Sequence, residues 1–485
     1  MKKNPIVLIH GYSDEGTSFR AWKNALVEKC GYNINDIHIC NYVTLTNEVT
    51  IKDIAEGFDR ALQLLEGLEP DREFDAIVHS TGMLVIRSWL IASPQKRRHR
   101  LKRLIGLAPA SFGSPLAHKG RSLLGSIFKG NRKIGPDFLE AGDRVLDALE
   151  LGSRFTWDLA HKDLLCNDLE LLRSQQPLLI DNIDSLKPQP FYGSDNTTPY
   201  VFIFCGTEKY QGLRKLINED GTDGTVRWAG CTLNTRKVIL DLTQENLIKD
   251  RIHFGEWINV GIAPVTLIDG LNHGTIMSNP GDRLIQLVDR ALKVSSKEEG
   301  EQWYRDAMNI TQQTLNKIDK WQQFVVRAVD ERSDPILDYS IEMFTKENEK
   351  EKLLEEFGLD VHTYSSDKSL RCFHVNLSKL LQRGNLQNLW IRITASSGSK
   401  LVGYCGFFSE DMESQLNDSN DVDYWEAEIE ITKLLKHEEI QFFMPFTTTL
   451  IELRLNREPS PVWATKRNVK NRVCWFLDPK PTDTE

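Results

Sequence analysis

Phe74-Asp75-Ala76-Ile77-Val78-His79-Ser80-Thr81-Gly82 predicts a strand, a turn and the start of a helix. The residues up to Val78 form an apolar run typical of a buried strand, and Met83 to Ala92 are typical of a helix. A serine between a strand and a helix lies on a sharp turn that exposes its hydroxyl above the helix N-terminus. The usual pattern at such a turn is Gly-x-Ser-x-Gly, and Val78 occupies its first position here. The alternative interpretation of Ser80 is a serine that only caps the helix.

The first half of the chain repeats this alternation of short apolar runs and amphipathic stretches. Further strand-like runs are Pro5–His10, Ile37–Cys40, Leu101–Leu107, Val201–Phe204 and Pro264–Ile268, and helix-like stretches are Phe19–Lys29 and Ile51–Leu68. The alternation predicts a doubly wound, parallel α/β sheet with right-handed crossovers. Strand signals are absent from about residue 111 to residue 198, which indicates a helical lid inserted over the carboxyl edge of the sheet.

A change in sequence pattern marks the end of the first domain. The polar stretch Val294–Gly300 predicts a boundary, so we divide the chain into an α/β domain over 1–294, a helical linker over 295–322 and an accessory domain over 323–485. The linker helix is expected from Trp303 to about Trp321. Strand-like runs in the accessory domain are Phe324–Val329, Tyr339–Phe344, Leu389–Thr394, Lys400–Phe408, Trp425–Ile431, Phe442–Phe446 and Leu450–Leu455. Their alternation with turn-rich segments predicts a small β-sandwich.

Composition restricts the classes of function. The 485 residues include 60 Lys and Arg against 69 Asp and Glu, for a net charge of −9, which argues against a general nucleic-acid binder. No apolar run approaches the ~20 residues that span a bilayer, and the N-terminus lacks the apolar core of a signal peptide. The eight cysteines are scattered without metal-ligand spacing. We therefore expect reduced thiols, a cytoplasmic location, and neither a metal nor a cofactor.

Two further polar groups follow strands of the predicted sheet. Asp223 lies in an Asp-Gly-Thr-Val turn after the Val201–Phe204 strand, and His273 follows the Pro264–Ile268 strand. The order serine, acid, histidine is that of a nucleophile, an orienting carboxylate and a general base. Asp220 and Asp269 are rival candidates for the acid. The alternative for His273 is a turn histidine that hydrogen-bonds backbone.

The loop after the first strand is the candidate for half of an oxyanion hole. We assign the two donors to the backbone amides of Tyr12 and Thr81, with Gly11 leaving room for the acyl oxygen. His10 and Gly82 support the turns on either side. The alternative for His10-Gly11 is a simple strand-ending turn.

These motifs together resemble the lipase and esterase branch of the α/β-hydrolases. The matching strings are His10-Gly11-Tyr12, His79-Ser80-Thr81-Gly82, Asp223-Gly224-Thr225-Val226 and Asn272-His273-Gly274, and the likeness covers roughly residues 5–290. It implies hydrolysis of a lipid ester, an acylglycerol or a phospholipid, through an acyl-serine intermediate and beneath a mobile lid. Two alternatives stay open: an acyltransferase with the same triad, and an inactive hydrolase fold that serves as a binding scaffold.

The predicted lid interleaves apolar and basic residues. The apolar residues are Leu116, Leu123, Leu124, Ile127 and Phe128, and the basic ones are Lys119, Arg121, Lys129, Arg132 and Lys133. This mixture suits peripheral docking on an anionic lipid surface. The alternative is an amphipathic cap helix that packs on the sheet with its cations in water.

Overall fold

A computed structural model provides the three-dimensional structure of the chain. It describes residues 3–119, 142–165, 191–193, 198–212, 215, 218–243, 252–254, 265–347, 350–358, 361–363, 366–382, 388–399, 401–406, 424–432, 442–459 and 473–474. All structural statements below concern these residues.

A parallel sheet forms the centre of the N-terminal domain. Its strands are β1 (Ile6–Ile9), β2 (Ile37–Cys40), β3 (Phe74–His79), β4 (Leu101–Leu107), β5 (Tyr200–Gly206) and β8 (Val265–Ile268). They lie in the order β2-β1-β3-β4-β5-β8, and every pairing is parallel. The doubly wound α/β prediction is therefore confirmed. Because the strands are parallel, their carboxyl ends share one edge, where open α/β sheets bind ligands.

Helices cover this sheet. In the N-terminal domain they are α1 (Arg20–Glu28), α2 (Ile51–Gln63), α3 (Gly82–Ala92), α4 (Pro94–Arg97), α5 (Pro115–Lys119), α6 (Asp143–Leu149), α7 (Arg154–Asp163), α8 (Trp228–Cys231), α9 (Thr275–Ser278) and α10 (Gly281–Ala291), with short 3₁₀ turns at Thr17–Phe19 and Ile34–Asp36. Helix α2 begins where Thr50 and Asp53 cap each other's backbone amides. It buries Ile54, Phe58 and Leu62 along one face.

The predicted lid region contributes helices and no strand in its described parts. Helices α5, α6 and α7 lie within residues 111–198, and Leu116 of α5 is buried. The predicted lid residues Arg121, Leu123, Leu124, Ile127, Phe128, Lys129, Arg132 and Lys133 fall outside the described residues, as does the side chain of Lys119. Docking of this segment on a lipid surface stays a prediction.

A long helix connects the two halves. Helix α11 (Lys297–Leu315) begins at Ser296, whose hydroxyl accepts a hydrogen bond from the Glu299 amide. This helix therefore starts and ends about one and a half turns before the predicted Trp303–Trp321 element. Trp321 is instead the first residue of a strand.

The C-terminal half contains two sheets. Its strands are β9 (Trp321–Asp330), β10 (Asp338–Glu347), β11 (Lys350–Leu353), β12 (Val361–Thr363), β13 (Leu370–Asn376), β14 (Leu389–Ser396), β15 (Val402–Cys405), β16 (Tyr424–Glu430) and β17 (Thr448–Pro459), with helices α12 (Glu355–Gly358) and α13 (Leu377–Gln382). Strands β11-β10-β14-β16 form an antiparallel sheet. A mixed sheet also contains β6 (Thr235–Asp241) and β7 (Ile252–Phe254). Its order is β12-β13-β9-β17-β6-β7, and β15 pairs with β17 at one side.

Two strands from the first half of the chain complete the mixed sheet. They are β6 (Thr235–Asp241), parallel to β17, and β7 (Ile252–Phe254), antiparallel to β6. The chain therefore crosses between the predicted domains well before residue 294, and the boundaries themselves stay a prediction.

The mixed sheet is buried on both faces. Val325 of β9 packs into the core of the N-terminal domain, whereas its neighbours Phe324 and Val326 pack into a second core shared with the antiparallel sheet. Neighbouring strand residues point to opposite faces, which explains this division. The predicted sandwich is present, and the N-terminal domain lies against its outer face.

One predicted strand is wrong. Residues 442–446 form a bend and a turn, in which Phe446 has φ +58°. The apolar character of this segment has a packing reason, since Phe442 stacks on Phe324 with ring centroids 5.5 Å apart. The Gln322 side chain bonds the backbone here, donating to the Phe442 carbonyl at 3.1 Å and accepting from the Met444 amide at 2.9 Å.

Candidate active site

Ser80 lies on a tight turn between β3 and α3. Its φ of +51° is a left-handed backbone conformation that residues other than glycine rarely adopt. The backbone around it is fixed, since the Ser80 amide donates to the Leu107 carbonyl at 3.3 Å and the Ser80 carbonyl accepts from the Ala110 amide at 3.1 Å. Only 8% of Ser80 is exposed. The turn therefore holds this serine in a strained and fixed position.

Gly82 allows this turn to lie close to strand β1. A Cβ atom at this position would be 2.6 Å from the Ile9 carbonyl oxygen and 2.9 Å from that of His10. Only glycine fits without a backbone shift. The last glycine of the Gly-x-Ser-x-Gly pattern, Gly82, is therefore required sterically. The first glycine of the pattern is not required here, because the fold accommodates a fully buried Val78 in its place.

Asp223 and His273 meet at the same edge of the sheet. The His273 Nδ1–H donates to Asp223 Oδ2 over 2.9 Å, and the His273 amide donates to the Asp223 carbonyl at 3.0 Å. The other carboxylate oxygen, Oδ1, accepts from the amides of Thr225 at 3.0 Å and Val226 at 2.8 Å. The pair is buried, with Asp223 fully enclosed and 4% of His273 exposed. This contact orients the imidazole and leaves Nε2 for another group.

The two rival acids lie elsewhere. Asp220 is bound by Lys209, which lowers the pKa of its carboxyl. Asp269 accepts from Lys317 Nζ at 2.6 Å and from Thr207 Oγ1 at 3.3 Å. The structure therefore places Asp223, and neither of these residues, against His273.

A short loop after β8 positions His273. The Asn272 side-chain oxygen accepts from the amides of Gly274 at 3.0 Å and Thr275 at 2.9 Å, which starts helix α9 directly after the histidine. Trp22 of α1 donates its Nε1–H to the Ile276 carbonyl at 3.0 Å and ties α9 to the rest of the domain.

Ser80 and His273 line one cavity of about 200 Å³. Tyr12 and Thr81, the predicted sources of the oxyanion-hole amides, line the same cavity, and so does Gly11. Burial and the charge of Asp143 raise the pKa of the Tyr12 hydroxyl to about 12, so it stays neutral. Helices α5 and α6 supply the apolar side of the cavity, together with α9, through Leu116, Ala117, Leu146, Leu149 and Met277. The cavity therefore joins a polar edge to an apolar wall.

Two further histidines support the site. His10 donates from Nδ1 to the Gly11 carbonyl at 2.7 Å and accepts from the Tyr42 amide at 3.1 Å, while its ring stacks on Tyr42. His79 Nε2 donates to the His273 carbonyl at 3.2 Å. Burial lowers the pKa of both imidazoles, and for His79 the nearby His273 adds to this. Both are neutral groups that brace the loops of the site.

Two contributors to the site were missed from the sequence. The Cys205 thiol donates to Asp223 Oδ2 over 3.5 Å, as the carboxylate's fourth donor. Tyr210 lines the cavity, and its hydroxyl is 2.9 Å from Thr225 Oγ1. Cys205 lies near the end of strand β5, and Tyr210 follows the strand. Each is well separated along the chain from the residue that it contacts, so the sequence gave no signal of these contacts. Only the position of Cys205 at a strand end could have indicated it.

Metal, membrane and thiol findings are limited to the described part of the chain. Within it, His, Cys, Asp and Glu residues form no group suited to hold a metal ion. No described helix is both long enough and apolar enough to cross a bilayer. No disulfide bond joins the described cysteines, and Cys166 lies outside the described residues.

Comparison with known proteins finds solved structures that match nearly the whole chain. No protein-family model matches this chain, and no curated protein matches its sequence. The solved structure of phospholipase PlaB from Legionella pneumophila is similar over 95% of this chain and 94% of that chain, with a TM-score of 0.70 and 20% identity. PlaB in complex with thio-NAD gives a TM-score of 0.68 and 20% identity, over 94% of each chain. With its parallel sheet, its serine turn and this match, the chain has an α/β-hydrolase fold joined to a C-terminal β-sandwich-like unit.

Proposed function

We propose that this protein is a serine carboxylester hydrolase of the lipase or phospholipase type. The observation that carries the proposal is the 2.9 Å bond from His273 to Asp223 beside a cavity shared with the strained Ser80. A hydroxyl, an imidazole and a buried carboxylate from three strand ends are the groups that acyl transfer requires.

In this proposal, ester hydrolysis proceeds through two acyl-transfer steps. His273 Nε2 removes the proton from Ser80 as its Oγ attacks the ester carbonyl, and Asp223 stabilises the imidazolium that forms. The amides of Tyr12 and Thr81 donate to the developing oxyanion. His273 then protonates the leaving alcohol, which leaves an acyl-Ser80 ester. Water activated by His273 attacks this ester and releases the carboxylic acid.

A lipid ester is the substrate class that fits the cavity. The wall formed by Leu116, Leu146, Leu149 and Met277 offers an apolar surface to an acyl chain, next to the polar edge that holds Ser80. The fold is shared with a phospholipase, which supports the same class. Binding of the acyl chain by this wall would place the ester carbonyl at the serine.

Variant kinetics test the proposal. Wild type is expected to hydrolyse a soluble short-chain nitrophenyl ester and phospholipid vesicles, and Ser80→Ala is expected to lose at least about a thousandfold in kcat/KM on both. Ser18→Ala is the matched control, because Ser18 lines the same cavity away from the turn and its hydroxyl bonds Asp14. Undiminished hydrolysis by Ser80→Ala would contradict the proposal. Transfer of the acyl group to an added alcohol in place of water would instead identify an acyltransferase.

A further inference from the structure

A second cavity lies between the N-terminal domain and the mixed sheet. It has a volume of about 670 Å³, and its walls come from α2, α3 and α7 on one side and from β6, β9 and β17 on the other. It shares no lining residue with the catalytic cavity. The proposed ester hydrolysis does not use it.

Four cations from four different elements line this cavity. They are Lys52 of α2, Lys162 of α7, Lys237 of β6 and Arg327 of β9. Cations gathered from separate elements repel one another, so their convergence is unfavourable without a balancing anion.

The carboxylates in the cavity wall are already engaged by cations. Glu452 accepts from Lys237 Nζ at 2.8 Å and from Arg454. Glu56 and Asp158 are equally engaged, by Arg97 at 3.2 Å and by Arg154 at 2.8 Å. The four lining cations outnumber the three lining carboxylates, and Arg327 shares Asp158 and Glu452 with the cations that pair with them.

Three buried polar atoms around this cavity lack a hydrogen-bond partner in the described part of the chain. They are Ser88 Oγ, His161 Nε2 and Arg327 Nε. Ser88 is the most deeply buried, with 5% exposed. Buried polar atoms are normally paired. Three unpaired ones around a single cavity indicate a polar ligand.

The unpaired atoms define which groups the ligand must carry. His161 Nδ1 donates to the Trp157 carbonyl at 2.8 Å, so its Nε2 presents a lone pair in the neutral ring. Burial and Lys237 lower the pKa of His161 to about 4, which keeps the ring neutral at pH 7. The ring therefore accepts a hydrogen bond, whereas Arg327 Nε–H donates one and the Ser88 hydroxyl does either.

We propose that this cavity is a second ligand site, for a phosphorylated polyol. The phosphate dianion lies against Arg327 and Lys52, and a ligand hydroxyl donates to His161 Nε2. Ala55, Ile91 and Phe155 provide an apolar surface for the carbon skeleton. A free sugar or glycerol phosphate carries these groups, and so does the glycerol phosphate headgroup of a lipid.

Calorimetric titration of the full chain with glycerol 3-phosphate tests the site. Wild type is expected to bind saturably, and Arg327→Gln to weaken binding about tenfold, because a hydrogen bond to a charged group is lost. Lys52→Gln is the second variant; Lys52 is exposed on a helix surface, so this change leaves folding intact. Arg332→Gln is the matched control, since its side chain is 58% exposed and outside the cavity.

The outcomes separate the proposal from its alternatives. Absence of saturable binding, or equal affinity in wild type, Arg327→Gln and Lys52→Gln, would overturn the site. Equal affinity for inorganic phosphate and glycerol 3-phosphate would overturn the hydroxyl contact with His161. Sedimentation with phosphatidylglycerol vesicles, on a Ser80→Ala background, identifies the source: binding to vesicles that depends on Arg327 indicates a lipid headgroup, and binding confined to the soluble phosphate indicates a free metabolite.

Discussion

Two glycine substitutions distinguish a steric requirement for glycine from its low helix propensity. Gly82→Ala puts a Cβ atom 2.6 Å from the Ile9 carbonyl oxygen, so we expect a loss of about 1–3 kcal/mol in the free energy of unfolding. Ester hydrolysis should fall as well, because the displaced strand β1 leads into the loop that carries the proposed oxyanion-hole amide of Tyr12. Chemical denaturation and kcat/KM measure the two effects.

Gly57→Ala is the matched control for this prediction. Gly57 lies inside α2, and a Cβ atom there would have nothing within 4 Å. Alanine should therefore stabilise the protein by up to about 1 kcal/mol. Equal effects of the two substitutions would contradict the close approach at Gly82.

The thiol of Cys205 gives a second prediction at this scale. Cys205→Ala removes one of the four donors that position the Asp223 carboxylate against His273. We expect kcat/KM for ester hydrolysis to fall by less than about tenfold, the effect of losing one weak hydrogen bond. Cys231→Ala is the control, because its sulfur contacts Cys205 at 3.6 Å and not the carboxylate. Undiminished kcat/KM in Cys205→Ala, or an equal loss in Cys231→Ala, would contradict the donor role.

Ser80 and His273 were accessible from the sequence because each lies at or shortly after the end of a strand, whereas Asp223 lies well beyond the end of β5 and was predicted from its Asp-Gly-Thr-Val turn. Strand ends are visible as local apolar runs, and parallel strands bring their ends together. Tyr210 was not accessible, because its contact with Thr225 depends on how two loops fold over each other.

A buried ion pair joins two helices at the scale of elements. Arg87 of α3 binds both carboxylate oxygens of Asp163 in α7, at 2.7 and 2.9 Å, and both side chains are fully buried. Asp163→Ala leaves a buried, uncompensated charge, so we expect a loss of about 3–5 kcal/mol in the free energy of unfolding. The exposed pair of Arg154 and Asp158 is the control, and its removal should cost less than about 1 kcal/mol. Similar losses for the two pairs, measured by denaturation, would refute this assignment.

The basic run from Lys96 to Arg103 shows why charge alone predicts surroundings poorly. The density of charge in this run predicts a solvated loop, yet Arg100 is 4% exposed and donates to the Leu68 and Glu69 carbonyls at 3.1 Å. Arg103 bonds both Asp75 oxygens at 3.2 Å. The sequence shows that these side chains are charged. It does not show which carbonyl and carboxylate oxygens the fold places beside them.

Pairing between strands that are distant in sequence limited how much of the overall sheet topology could be predicted. Strand β6 pairs with β17, so that Val238 lies beside Ile451. Local periodicity carries no signal for a partner so distant, and β6 was not predicted as a strand at all. Strand β5, whose neighbours are set by the regular α/β alternation, was predicted to within two residues at each end.

Buried neutral histidines predict how global stability depends on pH. Burial lowers the pKa of His10, His79 and His161, so the unfolded chain takes up these protons first as the pH falls. Their contribution is therefore present above pH 6.5, the ordinary histidine pKa, and is lost as the pH falls below it. For His161 the loss should be complete near pH 4.

The variant His161→Asn isolates one part of this effect. The difference in free energy of unfolding between wild type and variant should shrink as the pH falls from 6.5 towards about 4. Denaturant titrations at a series of pH values measure it. A difference that stays constant across this range would contradict the prediction.

Labelling with a fluorophosphonate, followed by intact-mass measurement and peptide mapping, is the most direct test of the proposed triad. We predict one adduct per chain, located at Ser80, with labelling slowed strongly by His273→Asn and less by Asp223→Asn. An adduct on another residue, or unchanged labelling in both variants, would contradict the assignment of these three residues to one catalytic centre.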